Sequence, residues 1–212
     1  MKYLAISATA AVMFAGAPVS AFTVSYSDAF ALSDVEISGT LSVPLFDSSL
    51  GTLTGVTWEI TGAIASILGV QNDSSNPIVG SAHTTVDYDV DSALLSLGGS
   101  PDFSVFGTTG LVSLGVGASA LFPVTATNTL SGSETPSSSF FLPGTLDVSF
   151  LTDTSFGGSG FGGDITISQA TDAGISLSVT YEYETAAVPL PAGLALLMSA
   201  LGITGLMHRR QG

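Results

Sequence analysis

The residues best suited to chemistry are three aspartates in the segment 87–91, DYDVD. Carboxylate oxygens are preferred calcium ligands, and an EF-hand loop that starts at Asp87 requires Gly at position 92 and Glu at position 98. The chain has Ser92 and Gly98 there, so this template fails. On a β-strand the carboxylates lie on one face about 7 Å apart, too far for all three to reach one ion. We therefore expect a solvated acidic strand face, and the calcium candidates are Asp87, Asp89 and Asp91.

A glycine-rich segment has the spacing of the dinucleotide-binding fingerprint at Gly158, Gly160 and Gly163. That fingerprint must open a helix whose N-terminus holds the pyrophosphate. The residues that follow, 164–167, read DITI and favour a strand instead. We expect a flexible loop here and no bound cofactor other than the calcium considered above.

Catalytic arrangements that need histidine or cysteine find little support. His83 is the only histidine between the two terminal segments, and the chain has no cysteine. A zinc site built from one imidazole and carboxylates is unusual, and no serine lies in a nucleophile elbow. We expect His83 at the surface near the start of a strand.

Paired acids could also serve a glycoside hydrolase, since the chain has 17 Asp and Glu residues. Such a site usually includes a cleft with exposed aromatic rings. Trp58 and Tyr181, however, fall on the apolar faces of their predicted strands, so both rings are expected in the core. The prediction is a protein that is not an enzyme and has no catalytic residue.

The elements that would position these residues read as β-strands, because apolar and polar residues alternate with a period of two. In residues 175–184, ISLSVTYEYE, every odd position is apolar or aromatic and every even position is polar. Val56, Trp58 and Ile60 alternate with polar residues in the same way. The further strand candidates are 23–27, 35–43, 84–97, 111–116, 121–127, 145–150 and 164–167.

Turn-rich segments separate these strands and predict loops at 71–77, 131–139 and 157–163. No segment between the two ends shows a sustained helical period. About eight to ten short strands separated by turn-rich segments predict an all-β fold. The expected form is an antiparallel β-sandwich, of which the jelly roll is one arrangement. An N-terminal signal helix and a C-terminal hydrophobic helix would flank the sandwich.

The N-terminal residues have the pattern of a cleavable secretory signal peptide. Lys2 supplies the positive charge, and the uncharged run 4–17 is shorter than the roughly 20 residues that a membrane-spanning helix needs. Val19 and Ala21 occupy the two positions that the signal peptidase reads. We therefore predict cleavage between Ala21 and Phe22.

Near the other end, residues 190–207 contain no charged side chain, and a helix of that length spans about 27 Å, close to the thickness of a hydrocarbon core. The basic pair Arg209 and Arg210 follows. Basic residues favour the cytoplasmic side, so a transmembrane segment here would hold the preceding domain on the opposite side. Both ends therefore predict export, with transient anchoring in the inner membrane.

These boundaries divide the chain into a signal peptide (1–21), one domain (22–187) and a tail (188–212). The domain of 166 residues contains all 17 Asp and Glu residues but no Lys or Arg, a formal charge of −17. Nucleic acid and anionic lipid are excluded as partners of the domain, because phosphate binding requires cationic side chains. Salt or divalent cations should stabilise the domain by screening its carboxylates.

The tail resembles the VPLPA variant of the PEP-CTERM sorting signal, because a VPLPA motif precedes an apolar span and an Arg-Arg pair. In that family an exosortase, a membrane transpeptidase of Gram-negative bacteria that make exopolysaccharide, reads the tail. The resemblance implies such a transpeptidase as a partner, while an ordinary anchor that is never cut remains the alternative. The residues that carry the resemblance are Val188, Pro189, Leu190, Pro191, Ala192, Arg209 and Arg210.

The domain itself is similar to the choice-of-anchor E domain in residues 45–56, LFDSSLGTLTGV, and 178–184, SVTYEYE. That family is a secreted β-rich module attached to differing C-terminal anchors. The resemblance implies an extracellular module whose shared property is being anchored.

Three functions remain as hypotheses. The first is an exported, non-enzymatic surface or matrix protein associated with exopolysaccharide in a biofilm. The second is a carbohydrate- or calcium-binding adhesion module, which calcium-dependent retention of a glycan would favour. The third is a glycan-active enzyme, which turnover of secreted polysaccharide would favour.

Overall fold

The computed structural model describes residues 21–98, 102–141 and 143–185, which form nine β-strands and one 3-10 helix. The strands are β1 (Ala21–Asp34), β2 (Ser38–Pro44), β3 (Thr52–Asn72), β4 (Ile78–Asp91), β5 (Phe103–Thr108), β6 (Val112–Leu114), β7 (Ser119–Glu134), β8 (Thr145–Ser159) and β9 (Ile165–Glu184). The 3-10 helix, Ser138–Phe141, lies between β7 and β8. The predicted signal helix and C-terminal helix fall outside the described residues.

The strands form two antiparallel sheets that pack against each other, which confirms the predicted all-β sandwich. One sheet has the order β1-β9-β3-β7, and the other has the order β2-β8-β4-β5 with the short β6 beside β4. Pairing proceeds from the chain ends inward: β1 with β9, β2 with β8, β3 with β7, and β4 with β5. This strand order is that of a jelly roll.

Alternating burial explains why these segments form strands around a common core. Along β9, the side chains of Ile175, Leu177, Val179 and Tyr181 are at most 2% exposed, while the residues between them are more exposed. On β3, Trp58 is 5% exposed. The predicted core positions of Trp58 and Tyr181 are therefore confirmed.

A buried tyrosine links the two sheets. Tyr88 of β4 is fully buried, and its ring stacks on Phe103 with the centroids 4.9 Å apart. Its hydroxyl donates to the carbonyl oxygens of Ala63 on β3 and Gly174 on β9, 3.0 Å from each. Gly62 makes room for this stack, since a Cβ there would lie 2.8 Å from Phe103. Burial raises the pKa of Tyr88 to about 12.

The loop after β4 is tied to the core through Glu134, the last residue of β7. Its carboxylate accepts hydrogen bonds from the Trp58 indole at 3.2 Å and from the Ser96 backbone N–H at 2.6 Å and hydroxyl at 2.9 Å. Partial burial opposes ionisation, but these three hydrogen bonds outweigh it and lower the pKa of Glu134. The ionised carboxylate thus holds the loop against the indole.

Several strands are longer than the alternation predicted. β3 has 21 residues and β9 has 20. The loops expected at 131–139 and 157–163 are wrong in part, because backbone pairing continues β7 to Glu134 against β3 and β8 to Ser159 against β4. The strand expected at 84–97 begins earlier, at Ile78, and ends at Asp91.

Candidate functional site

The three candidate aspartates all lie on β4 and point away from the core, because the residues between them, Tyr88 and Val90, are buried. They therefore share the outer face of the five-stranded sheet, as expected for a strand. β4 lies between β8 and β5 in this sheet, so its outward side chains have neighbours on both sides.

Residues of β8, β4 and β5 form three rows across this face, which we call the outer grid. The spacing between strands is about 4.8 Å and alternate residues lie about 6.8 Å apart, so the grid measures about 10 by 14 Å. The rows are Asp153, Asp87 and Ser104; Ser155, Thr85 and Phe106; and Gly157, His83 and Thr108.

Two carboxylates of the outer grid lie directly opposite each other. Asp87 pairs with Asp153 across β4 and β8, and like charges in this position destabilise a sheet. One oxygen of Asp87 accepts a hydrogen bond from the Ser104 hydroxyl, and one oxygen of Asp153 accepts from the Thr154 backbone N–H at 2.9 Å. The Oδ2 atom of each carboxylate has no hydrogen-bond partner among the described residues. The pair is therefore uncompensated, since the domain has no Lys or Arg.

An aromatic pair occupies the other end of the outer grid. Phe106 is 56% exposed, and its ring stacks on His83 with the centroids 5.6 Å apart. His83 is half-buried in the interior of β4, rather than near a strand start as expected. Neither imidazole nitrogen has a hydrogen-bond partner among the residues that the structure describes. Gly157, opposite His83, has no side chain to cover the imidazole edge, from which a Cβ would be 3.3 Å.

The three candidate aspartates do not converge on one point. Asp89 lies opposite Leu151 on β8, and Asp91 lies opposite Ser149. Within residues 21–98, 102–141 and 143–185, no group of three or more His, Asp or Glu side chains is placed to hold a metal ion. Calcium binding by these aspartates stays a prediction.

The outer face of the four-stranded sheet has a different character. Its hydroxyl groups pair with one another across strands, as between Ser25 and Thr180 at 2.8 Å and between Thr61 and Thr129 at 3.0 Å. Leu121 is 72% exposed on β7. Asp34 lies opposite Asp172 on this face, so opposed carboxylates occur on both sheets, but among the described residues no stacked ring pair accompanies these two.

The predicted processing residues lie at the chain ends. Ala21 and Phe22 begin β1, where Ala21 pairs with Glu184 and the Phe22 ring stacks on Tyr183 with the centroids 5.8 Å apart. In the described part of the chain, no helix is both long and apolar enough to cross a membrane. The predicted sorting motif 188–192, apolar span 190–207 and basic pair Arg209 and Arg210 lie outside the described residues.

Phe106 and Asp153, on which the character of the outer grid depends, were not singled out from the sequence. Phe106 points outward between the buried Val105 and Gly107. An aromatic residue at an outward position, where the alternating pattern predicts a polar one, could have drawn attention to it. Asp153 lies an even number of residues from Asp147 on β8, so the alternating pattern places both side chains on the outward face. Neither signal reveals which residues lie opposite.

Comparisons with known proteins give no family. No family model and no curated protein matches this chain. Among solved structures, the chain is similar to the T13 particle of infectious bursal disease virus, with 12% identity over 81% of this chain and 37% of that chain and a TM-score of 0.20. It is also similar to mud crab tombus-like virus (7% identity, 92% of this chain, 93% of that chain, TM-score 0.19) and to the parasporin-2 toxin of Bacillus thuringiensis (14%, 79%, 70%, 0.18). The chain spans less than two fifths of the bursal disease virus chain, and these TM-scores are too low to support an inference about function.

Proposed function

We propose that this protein is an exported, non-enzymatic component of the cell surface or extracellular matrix, sorted by its tail and associated with exopolysaccharide. The observation that carries the proposal is the order of signals along the chain. A signal peptide precedes the acidic domain, and a VPLPA motif, an uncharged span and a basic stop follow it. The signal peptide and the basic stop both place the domain on the outer side of the inner membrane.

The fold is compatible with attachment through the tail. Ala21 and Glu184 pair at the same end of the sandwich, so the signal peptide and the tail join the domain at one end. Before processing, the tail would hold that end beside the inner membrane, and an exosortase-type transpeptidase could reach the VPLPA motif. The outer grid lies on a sheet face rather than at this end.

The charge of the domain agrees with an extracellular setting. With 17 acids and no Lys or Arg, the domain repels nucleic acid and anionic lipid surfaces. It can meet an uncharged polysaccharide without that repulsion. Copies of the domain also repel one another, which favours dispersion through a hydrated matrix over self-association.

The test is the location of the full chain in its producing cells, with and without the exosortase-type transpeptidase. Blotting of cytoplasm, membrane, surface wash and medium should place the protein in the last two fractions. Without the transpeptidase it should accumulate in the membrane fraction. Persistence in the cytoplasm of both strains would reject the proposal, and an unchanged membrane-bound pool in both would favour the anchor that is never cut.

A second assay addresses the enzyme alternative. Secreted polysaccharide incubated with the protein should yield no new reducing ends. Release of reducing ends that disappears in the variant Asp87→Asn or Asp153→Asn would instead establish a glycan-active enzyme.

A further inference from the structure

We infer that the outer grid is a binding site for an uncharged polysaccharide, with Phe106 and His83 contacting the sugar ring and Asp87 and Asp153 accepting hydrogen bonds from its hydroxyl groups. The inference rests on the proposed extracellular role for its class of ligand. It concerns a surface to which neither the family resemblances nor the tail assign any role.

The first observation is the uncompensated carboxylate pair. Asp87 and Asp153 are opposed across two strands, with no Lys or Arg anywhere in the domain to offset them. Such a pair lowers the stability of the sheet, and residues that oppose stability are concentrated at functional sites. Each carboxylate keeps one oxygen without a hydrogen-bond partner among the described residues.

The second observation is the exposed aromatic pair one to two rows away. Phe106 is 56% exposed although its neighbours along β5, Val105 and Gly107, are buried. Aromatic residues, phenylalanine included, are enriched at interaction sites relative to the rest of the protein surface. The C–H face of a pyranose ring is the apolar surface that packs against such a ring.

The polar groups between these two ends match a ligand rich in hydroxyl groups. The hydroxyls of Thr85 and Ser155, and both ring nitrogens of His83, have no hydrogen-bond partner in the described part of the chain. These groups include both donors and acceptors, as sugar hydroxyls do. Gly157 leaves the edge of the imidazole open to the ligand.

Charge selects among polysaccharides. Uronate, sulfate or phosphate groups would lie against Asp87 and Asp153 with no cationic side chain to receive them, and like charges brought together cost binding free energy. An uncharged chain avoids this cost. A polyanion could bind here only through a bridging cation, which the assay below detects.

The assay is affinity electrophoresis of the full chain in a polyoxyethylene detergent, which has no sugar headgroup. Native gels contain dextran, galactomannan or hydroxyethyl cellulose, and a fourth contains carboxymethyl cellulose, which has the same backbone as the third polymer but is anionic. We expect at least one uncharged polymer to retard the protein, carboxymethyl cellulose not to retard it, and EDTA to leave the retardation unchanged. No retardation by any uncharged polymer, or retardation abolished by EDTA, would overturn the inference.

Matched variants locate the site. Phe106→Ala should weaken the retarding interaction about five- to tenfold, whereas Leu121→Ala, which truncates an exposed apolar residue on the other sheet, should not change it. Asp87→Asn should weaken binding and raise Tm, because it removes a like-charge contact. Asp172→Asn, which removes the like-charge contact with Asp34 on the other sheet, should leave binding unchanged. Equal binding by Phe106→Ala and the unaltered protein would overturn the assignment.

The outcomes separate this inference from the proposed function. Export and processing are read in cell fractions, and glycan binding is read with purified protein. A correctly exported protein that fails to bind every uncharged polymer would reject the outer grid while leaving the proposed location intact.

Discussion

Replacing Tyr88 with phenylalanine tests how the two sheets are held together. The substitution keeps the ring and its stack on Phe103 but removes the hydroxyl that donates to the carbonyl oxygens of Ala63 and Gly174, each 3.0 Å away. Loss of a buried hydrogen bond with unsatisfied partners costs about 1 to 3 kcal/mol. In a protein of this size 1 kcal/mol lowers Tm by roughly 2 to 4 °C, so Tyr88→Phe should lower Tm by about 2 to 12 °C.

Two other tyrosines calibrate that measurement. The Tyr181 hydroxyl donates to one carbonyl, that of Pro44 at 3.0 Å, so Tyr181→Phe should cost less than Tyr88→Phe. The hydroxyl of Tyr26 makes no hydrogen bond among the described residues, so Tyr26→Phe should change stability by less than about 0.5 kcal/mol. Scanning calorimetry of the full chain gives all three values. If Tyr88→Phe were no more destabilising than Tyr26→Phe, the bridge between the sheets would contribute nothing.

Three further predictions concern the titratable groups and the net charge of the domain. Because the pKa of Glu134 is lowered in the folded state, its ionised carboxylate stabilises the fold at pH values above the pKa of an unfolded-state glutamate. The free energy of unfolding should therefore fall as acid protonates Glu134. Glu134→Gln should reduce this dependence on acid and alter the fluorescence of Trp58, whose indole bonds to the carboxylate. Burial raises the pKa of Tyr88 and Tyr181 to about 12, so as the pH rises these hydroxyls lose their protons in the unfolded chain before they do in the folded domain. The free energy of unfolding should therefore decline from pH 10 toward pH 12, and phenolate absorbance follows the titration. Tm should rise with sodium chloride and, at matched ionic strength, rise further with calcium chloride. An equal rise with both salts would mean that they act only by screening the carboxylates. No rise with either salt would reject calcium binding by this domain.

Strands in which apolar and polar residues alternate throughout were predicted from the sequence. For strands whose inner face contains small or polar residues, the predicted segments were too short. The predicted segment on β3 ends near Ile60, yet the strand continues to Asn72. Gly62 is an inward residue that accommodates Tyr88, and Ser66 is an inward residue whose hydroxyl pairs with Thr171 at 2.7 Å. Neither looks apolar in the sequence, so a binary pattern cannot follow the strand past them.

Loops were overpredicted for a related reason. Residues 131–134 contain Ser and Gly, which are typical of turns, yet they pair with β3. Gly132 is required in that strand because a Cβ there would lie 2.4 Å from the Trp58 ring. Composition shows the glycine but not the indole that requires it.

The candidate site was predictable only along single strands. Alternation placed Asp87 on an outward face, but the residues opposite it, Asp153 and Ser104, are 66 and 17 positions away in the chain. Their proximity is set by strand order and register, which long-range pairing determines. The outer grid therefore became visible only in the folded domain.

The most direct test of the central claim is the intact mass of the protein recovered from the cell surface and medium. Export and tail-directed sorting predict a species that begins at Phe22 and lacks the tail after the VPLPA motif, together with a longer species beginning at Phe22 when the exosortase-type transpeptidase is absent. A surface species that still begins at Met1 and retains Arg209 and Arg210 in both strains would contradict the account.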